Sequence, residues 1–226
     1  MAKVIMSLSG GLDSAVLLSK LLIDGHEVIP VNFQYGSKHN PHEWKAAKSL
    51  AFHYKLELVT VDVTPAMGAF NSKLMDNGSA IPEGHYEEET MRDTVVPGRN
   101  LIFLSILAGM AESEGCEAVA IGVHAGDHHI YPDCRPEFVN AAAAAIGMST
   151  NSKVIILAPF IYIDKTKIVQ LGEKFKTPFH LTRTCYAPQT TACGKCGSCQ
   201  ERLVSFFKAG IVDPIDYHTR DLLPKA

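Results

Sequence analysis

An α/β architecture is predicted: a doubly wound, mostly parallel five-stranded sheet, followed by a small C-terminal helical region built around cysteines. Three observations lead there. The chain opens on a short β-branched apolar run, a turn of small residues and an amphipathic stretch closed by Gly25, which is the order strand, turn, helix. Strand-length apolar runs then alternate with segments of helical periodicity, the pattern of repeated βα units on a parallel sheet. Four of the six cysteines crowd into residues 185–199. A boundary at residue 180 separates an α/β body, 1–180, from the C-terminal region, 181–226.

Taken in order, Val4, Ile5 and Met6 make the first strand, and Ser7-Leu8-Ser9-Gly10-Gly11-Leu12-Asp13-Ser14 turns into a helix carrying Ala15, Val16, Leu17, Leu18, Leu21 and Leu22. Gly10 and Gly11 can take φ > 0 and admit a ligand close to the backbone. Free N–H groups and the dipole at the helix start then form an anion site. Residues 27–33 read as the second strand, 44–53 as the second helix after Pro41, and 56–63 as the third strand. The rhythm fails across 64–95, where Pro65, Gly68, Asn77-Gly78, Pro82-Glu83-Gly84 and Glu87-Glu88-Glu89 interrupt any periodicity. This irregular insertion reads either as a functional loop or lid, or as a surface excursion with a short helix near 70–75. Residues 100–114 form a helix apolar nearly all round, hence buried. A fourth strand follows at 116–123, a helix at 136–146, a fifth strand at 153–157, and helices at 164–175 and 197–208.

Lys and Arg number 21 against 24 Asp and Glu, for a formal net charge of −3 and no basic block. That balance argues against a nucleic-acid surface or a polybasic membrane anchor and for small-molecule partners. The opening residues lack a charged segment followed by an apolar one, and no apolar run reaches transmembrane length, so a cytoplasmic location is expected.

The loop Ser-Gly-Gly-Leu-Asp-Ser lacks the Gly-Lys-Ser/Thr of a Walker A motif and places Asp13 where phosphate would bind. A carboxylate beside phosphate calls for a cation between them, and Mg²⁺ takes such oxygen ligands. The plainer alternative is that Asp13 or Ser14 caps the helix. Arg99, after Val96-Pro97-Gly98 and before Asn100 as a candidate cap, projects at a helix start where cations are disfavoured unless an anion is present. Lys165, following Asp164 as a candidate cap, either reaches a phosphate or is solvated. The segment 122–137 concentrates His124, Asp127, His128, Tyr131, Asp133, Cys134 and Arg135 after the fourth strand, where open parallel sheets bind ligands. It suits a reader of a heterocycle's donors and acceptors, with a His and Asp metal site as the alternative. Cys185, Cys193, Cys196 and Cys199 stand as C-x7-C-x2-C-x2-C with Gly194 and Gly197 at the turns. Four thiolates suit a structural Zn²⁺. A [4Fe–4S] cluster is the rival, although ferredoxin spacings carry a later Cys followed by Pro, which this chain lacks.

With strand and helix so placed, the loop resembles the pyrophosphate loop of the ATP pyrophosphatase superfamily, whose adenine nucleotide alpha-hydrolase-like fold cleaves ATP between the α- and β-phosphates. Further segments, in order along the chain, are Tyr35-Gly36, Val96-Pro97-Gly98-Arg99-Asn100, residues 131–138, Asp164-Lys165 and Thr184-Cys185-Tyr186 with the cysteine knuckle. The ordered set resembles the 7-cyano-7-deazaguanine synthase family. The resemblance implies a C–N-bond-forming ligase that converts 7-carboxy-7-deazaguanine, ammonia and ATP to the nitrile through an amide, in queuosine biosynthesis. It implies ATP held by Leu8, Ser9, Gly10, Gly11, Leu12, Asp13, Ser14, Ala15, Val16, Leu17 and Leu18. Catalytic roles fall to Asp13 (through Mg²⁺), Ser9, Arg99 and Lys165, the deazapurine to Tyr131, Asp133 and Arg135, and Zn²⁺ to the four cysteines; a homodimer is also implied. After the second strand the family resembles Tyr-Gly-Gln-(Arg/Lys)-His-x-x-Glu, whereas this chain has Ser37 for the Gln and Glu43 one residue late. No role is carried to His39, Glu43 or Ala192. Three other readings stand beside this one: a different adenylating ligase, a tRNA thiolation enzyme, and a zinc-knuckle interaction module on a nucleotide fold.

Overall fold

Five parallel strands in the order β3-β2-β1-β4-β5 form the centre of the molecule: β1 Lys3–Ser7, β2 Glu27–Gln34, β3 Val59–Asp62, β4 Ala118–Ala120 and β5 Ile155–Leu157. The computed structural model describes residues 1–75, 80–85 and 89–221; Asn77, Gly78, Glu87 and Glu88 of the irregular insertion lie outside the described residues. The chain winds one way from β1 to β3 and the other way from β4 to β5, so β1 and β4 flank the point of reversal, where such sheets open a crevice.

The helices are α1 Leu12–Ile23, α2 Asn40–His53, the single turn α3 Thr64–Met67, α4 Arg99–Glu114, α5 Pro136–Ser149, α6 Lys165–Lys174 and α7 Gly197–Ala209. Alternation along β1 sorts them into two layers. Val4 and Met6 pack with Leu17 and Leu18 of α1, Leu50 of α2, Ile168 of α6 and Phe206 of α7. Ile5 faces the opposite side, with Leu104 and Leu107 of α4 and Val139 of α5.

Three strands are shorter than expected, two of them because the residues before them close helices. Leu56 N–H donates to Ala51 O and Cys116 N–H to Ala111 O, while Lys153 has a left-handed φ of 52°. Helix α4 is buried along one face only: Phe103, Leu104, Leu107, Ala108 and Ala111 enter the core, and Leu101, Ser105, Gly109 and Ser113 face outward. The stretch Met91–Glu114 is long and apolar enough to cross a membrane, yet Met91, Leu104 and Leu107 are wholly buried against the sheet, as in a core helix.

No helix forms over 70–75. Leu74 and Met75 are instead buried in the core, Met75 bridges to Ser37, and Lys73 N–H donates to Asp93 O. Further along, Glu83 bridges to Cys196 and Gly84 N–H donates to Lys195 O, so the insertion is fastened both to the core and to the cysteine knuckle. Past the knuckle, Arg202 of α7 is fully buried and grips Asp213 with two bonds of 2.8 Å, while Tyr217 donates to the same carboxylate at 2.7 Å. A pair this deep tolerates no loss of one partner.

Candidate active site

A cleft of about 200 Å³ opens at the carboxyl ends of the strands. Its floor is the loop between β1 and α1. Gly10 has a φ of +88°, and a Cβ there would lie 2.5 Å from Glu43 O and 2.7 Å from Ala47 N, so only glycine lets α2 press onto the loop. Arg183 N–H donates to Gly10 O at 2.8 Å from the other side. Ser9 Oγ accepts from Gly11 N–H and meets Ser14 Oγ, both at 3.1 Å. Helix α1 starts at Leu12 behind Gly11, with no side-chain cap. Neither Asp13 nor Ser14 therefore serves as the cap, and the first-turn N–H groups stay available to an anion.

Of the residues expected to hold ATP, Ser9, Gly11, Leu12, Asp13 and Ser14 line the cleft. Leu8, Ala15, Val16, Leu17 and Leu18 are fully buried in the core, and Ala15 N–H already donates to Gly11 O. Those side chains support the loop from beneath.

One end of the cleft is charged. Lys165 Nζ lies 2.5 Å from Glu201 Oε2 and 3.3 Å from Asp13 Oδ2. Burial works against the Lys165 ammonium, but Asp13, Glu201 and Asp127 outweigh it and hold its pKa above the ordinary lysine value. Burial likewise raises the Glu201 carboxyl, against the pull of Lys165 and His124. Nε2 of the buried His124 stands 3.5 Å from Asp127 Oδ1, 3.8 Å from Asp13 Oδ2 and 4.0 Å from Glu201 Oε1, while its Nδ1 accepts from Gly126 N–H. Asp164 caps α6 as expected, accepting from Lys167 N–H at 2.8 Å, which aims Lys165 inward. Asp13 Oδ1 is buried without a hydrogen-bond partner, an orphan that a cation would satisfy.

The other end is aromatic. Phe33 and Phe103 stack at 4.1 Å, Tyr35 meets Phe103 edge-on, and the His39 ring lies 5.4 Å from that of Tyr186. Tyr131 Oη sits 2.8 Å from Thr94 Oγ1 and 3.4 Å from Tyr186 Oη. Arg99 and Glu43 also line this end. Burial, then Arg99 and Arg183, push His39 down to about 3; burial pushes Glu43 up to about 7 against the same two arginines.

Among the residues expected to bind the heterocycle, Tyr131 lines the cleft, but Asp133 and Arg135 do not. Asp133 Oδ2 accepts from Asn100 N–H at 2.9 Å and so caps α4 from across the molecule, the part expected of Asn100. Asn100 Nδ2 instead donates to Asp133 O and Cys134 Sγ. Arg135 is exposed and donates to His128 O. Sequence reasoning assigned no role to His39, Glu43, Arg183 or Glu201; for the first two the histidine in register and the glutamate one residue late after β2 were the available signal.

Beside the cleft, the sulfurs of Cys185, Cys193, Cys196 and Cys199 all lie within 4.8 Å of one another and could hold a metal ion. Cys193 Sγ and Cys199 Sγ are 3.8 Å apart, the edge of a tetrahedron with metal–sulfur bonds of about 2.3 Å. Backbone N–H groups of Ala187, Cys193, Lys195 and Cys196 point at Cys185 and Cys193 sulfurs at 3.3–3.4 Å, as thiolate acceptors require.

The family described as queuosine biosynthesis protein QueC matches residues 3–210. The 7-cyano-7-deazaguanine synthase of Desulfotalea psychrophila is 44% identical over 202 residues, covering 89% of this chain and 92% of its own. The 7-cyano-7-deazaguanine synthase 1 of Colwellia psychrerythraea is 41% identical over 218 residues, 95% of this chain and 98% of its own. An NMN synthetase structure from Francisella tularensis shares the fold at a TM-score of 0.54 and 15% identity, over 93% of this chain and 78% of that one.

Proposed function

The chain belongs to the family of the queuosine biosynthesis protein QueC, and we propose that it converts 7-carboxy-7-deazaguanine, ammonia and ATP to 7-cyano-7-deazaguanine by way of the amide. The observation that carries this reading is the joining, in one cleft, of an uncapped phosphate loop bearing Asp13 and an aromatic lining of Phe33, Phe103, Tyr131 and Tyr186. A carboxylate resists attack by ammonia until one oxygen becomes a good leaving group, and transfer to the α-phosphate of ATP achieves that. First-turn N–H groups of α1 with the Ser9 and Ser14 hydroxyls hold the polyphosphate, and Arg99 and Lys165 balance its charge. Mg²⁺, held by Asp13, would supply neutralisation between polyphosphate oxygens. Phe33 and Phe103 with Tyr131 and Tyr186 form the walls against which the deazapurine stacks.

Zn²⁺ suits the four cysteines better than an iron–sulfur cube, whose outer corners hold the cysteine sulfurs further apart than four ligands of one ion. The body 1–180 carries the loop, and the region 181–226 carries the metal while lending Arg183, Thr184, Tyr186 and Ser198 to the cleft. A cytoplasmic homodimer acting on free small molecules, with no nucleic acid bound, completes the reading. Mass spectrometry on purified protein given the deazapurine acid, ammonium and ATP tests it: acid should fall, amide rise and decay, and nitrile accumulate. Amide as the end product would make the chain an amide-forming ligase; an untouched acid would leave only the ATP loop standing.

A further inference from the structure

We propose that Glu43 is the general base of the nitrogen chemistry, taking the N–H protons when ammonia adds and again when the amide is dehydrated. This role rests on the reaction proposed above and deepens it.

The placement is geometric. Glu43 lies in the first turn of α2, and its backbone carbonyl is the group that Gly10 of the phosphate loop is pressed against. Its side chain lines the same cleft as Ser9, Gly11 and Asp13. The carboxyl thus shares one cleft with the loop, where the acyl adenylate forms, and with the aromatic residues against which the heterocycle lies.

The other carboxylates near the loop are committed. Asp13 and Glu201 contact Lys165, and Asp127 faces His124. A carboxylate held by an ammonium is a poor proton acceptor. Glu43 is faced by His39 Nε2 at 3.6 Å, by Tyr35 after β2, by Arg99 of α4 and by Arg183 of the C-terminal region. The two guanidiniums pull the Glu43 carboxyl down, but burial outweighs them, and His39 is held neutral by burial and by the arginines. Burial raises the Glu43 carboxyl to about 7 against the arginines' pull, near the value at which a base works best around neutrality.

The steps balance. Ammonia attacks the carbonyl carbon of the acyl adenylate and a C–N bond forms. Glu43 takes one proton from the nitrogen, and the C–O bond to AMP breaks to give amide and AMP. Transfer of the amide oxygen to a second ATP releases pyrophosphate and leaves an O-adenylated imidate with two N–H protons. Both protons leave the nitrogen in turn as the C–O bond to the second AMP breaks, giving the nitrile. Glu43 returns each proton to solvent between steps.

Adenylation of the acid needs no base, whereas addition of ammonia does, and the two separate in a rapid-quench experiment on the full-length protein. With acid and ATP but no ammonium, Glu43→Gln should release a pyrophosphate burst within about threefold of wild type. On adding ammonium, amide formation should slow by about 10²–10⁴-fold, and the acidic limb of its pH profile, near 7 in wild type, should disappear. Supplied amide should be dehydrated with a similar deficit, and Glu43→Asp should recover part of both rates. Amide formation at the wild-type rate in Glu43→Gln, or a burst lost as completely as the aminolysis, overturns the base role. A wild-type protein that gives no burst with the deazapurine acid overturns the reaction itself, and the base role with it.

Discussion

The charged end of the cleft and its aromatic end are built on opposite principles. At the charged end Lys165 is surrounded by Asp13, Asp127 and Glu201, so each charge there is fixed by another. At the aromatic end Tyr35, His39, Glu43, Tyr131 and Tyr186 come together through polar contacts of 2.8–3.6 Å, and burial outweighs the pull of Arg99 and Arg183 on Glu43. A locked set of charges positions a polyanion and changes little on binding, whereas a loosely paired aromatic slot keeps groups whose protonation can change. If the proposed reaction holds, the charged end does most of the electrostatic holding, and the aromatic end does the recognition and proton transfer.

The hardest test of that division is Asp13→Ala. Turnover should fall by more than about 10³-fold with the fold intact by circular dichroism, because Oδ1 of this carboxylate has no partner to lose and Lys165, which faces Oδ2, keeps Glu201. Wild-type-like turnover would sink the role. Cys196→Ala should strike both ends together, since the region it anchors lends Glu201 to one and Tyr186 to the other. Metal per chain should drop below one, and the melting temperature should fall by roughly 10 °C. Iron in stoichiometric amount with a brown colour, in protein purified without air, would refute zinc.

The aromatic end predicts a pH signature. The Glu43 pKa stands at about 7 in the folded chain against 4.5 as the ordinary value, so wild type is most stable with this group protonated. Stability from Glu43 is complete below 4.5 and lost as pH climbs through 7. Glu43→Gln removes that loss, and should gain about 2–3 kcal/mol over wild type at pH 8 relative to pH 4.5. His39, lowered from 6.5 to about 3, works with the opposite sign, losing stability as pH falls from 6.5 toward 3. Urea unfolding of both proteins at several pH values would check this; parallel curves would contradict the buried state of Glu43. The smallest effect is expected from Tyr131→Phe, which removes a hydroxyl bonded to Thr94 and costs about 1 kcal/mol. It should raise KM for the deazapurine acid several-fold while leaving KM for ATP unchanged, and an equal rise in both would blur the two ends.

The charged end was the more legible in sequence. Its loop is local, with strand, glycines, acid and helix within a few neighbouring residues, and the Asp164 cap that aims Lys165 is local too. The aromatic end draws on β2, α4, the segment after β4 and the C-terminal region, and no spacing in sequence announces that Tyr35, Tyr131 and Tyr186 converge. Asp133 shows the same limit from the other side. Its carboxylate looked like a substrate contact, but its partner is a helix N–H 33 positions earlier in the chain, visible only once α4 and the later loop are packed together. Two predicted strands ran long for a related reason: Leu56 and Cys116 satisfied the preceding helix ends before any strand could claim them.

The bond from Arg183 N–H to Gly10 O joins residues 173 positions apart. A ribosome adding about 5–20 residues per second finishes the phosphate loop roughly 9–35 s before the segment that completes it. During that interval the nascent chain carries a loop able to attract nucleotide, but neither Arg183 nor Tyr186 to finish the cleft. Long-range closure of this kind slows the final ordering of a fold relative to its local elements. The residues that close the cleft over the loop thus join the chain long after the loop itself.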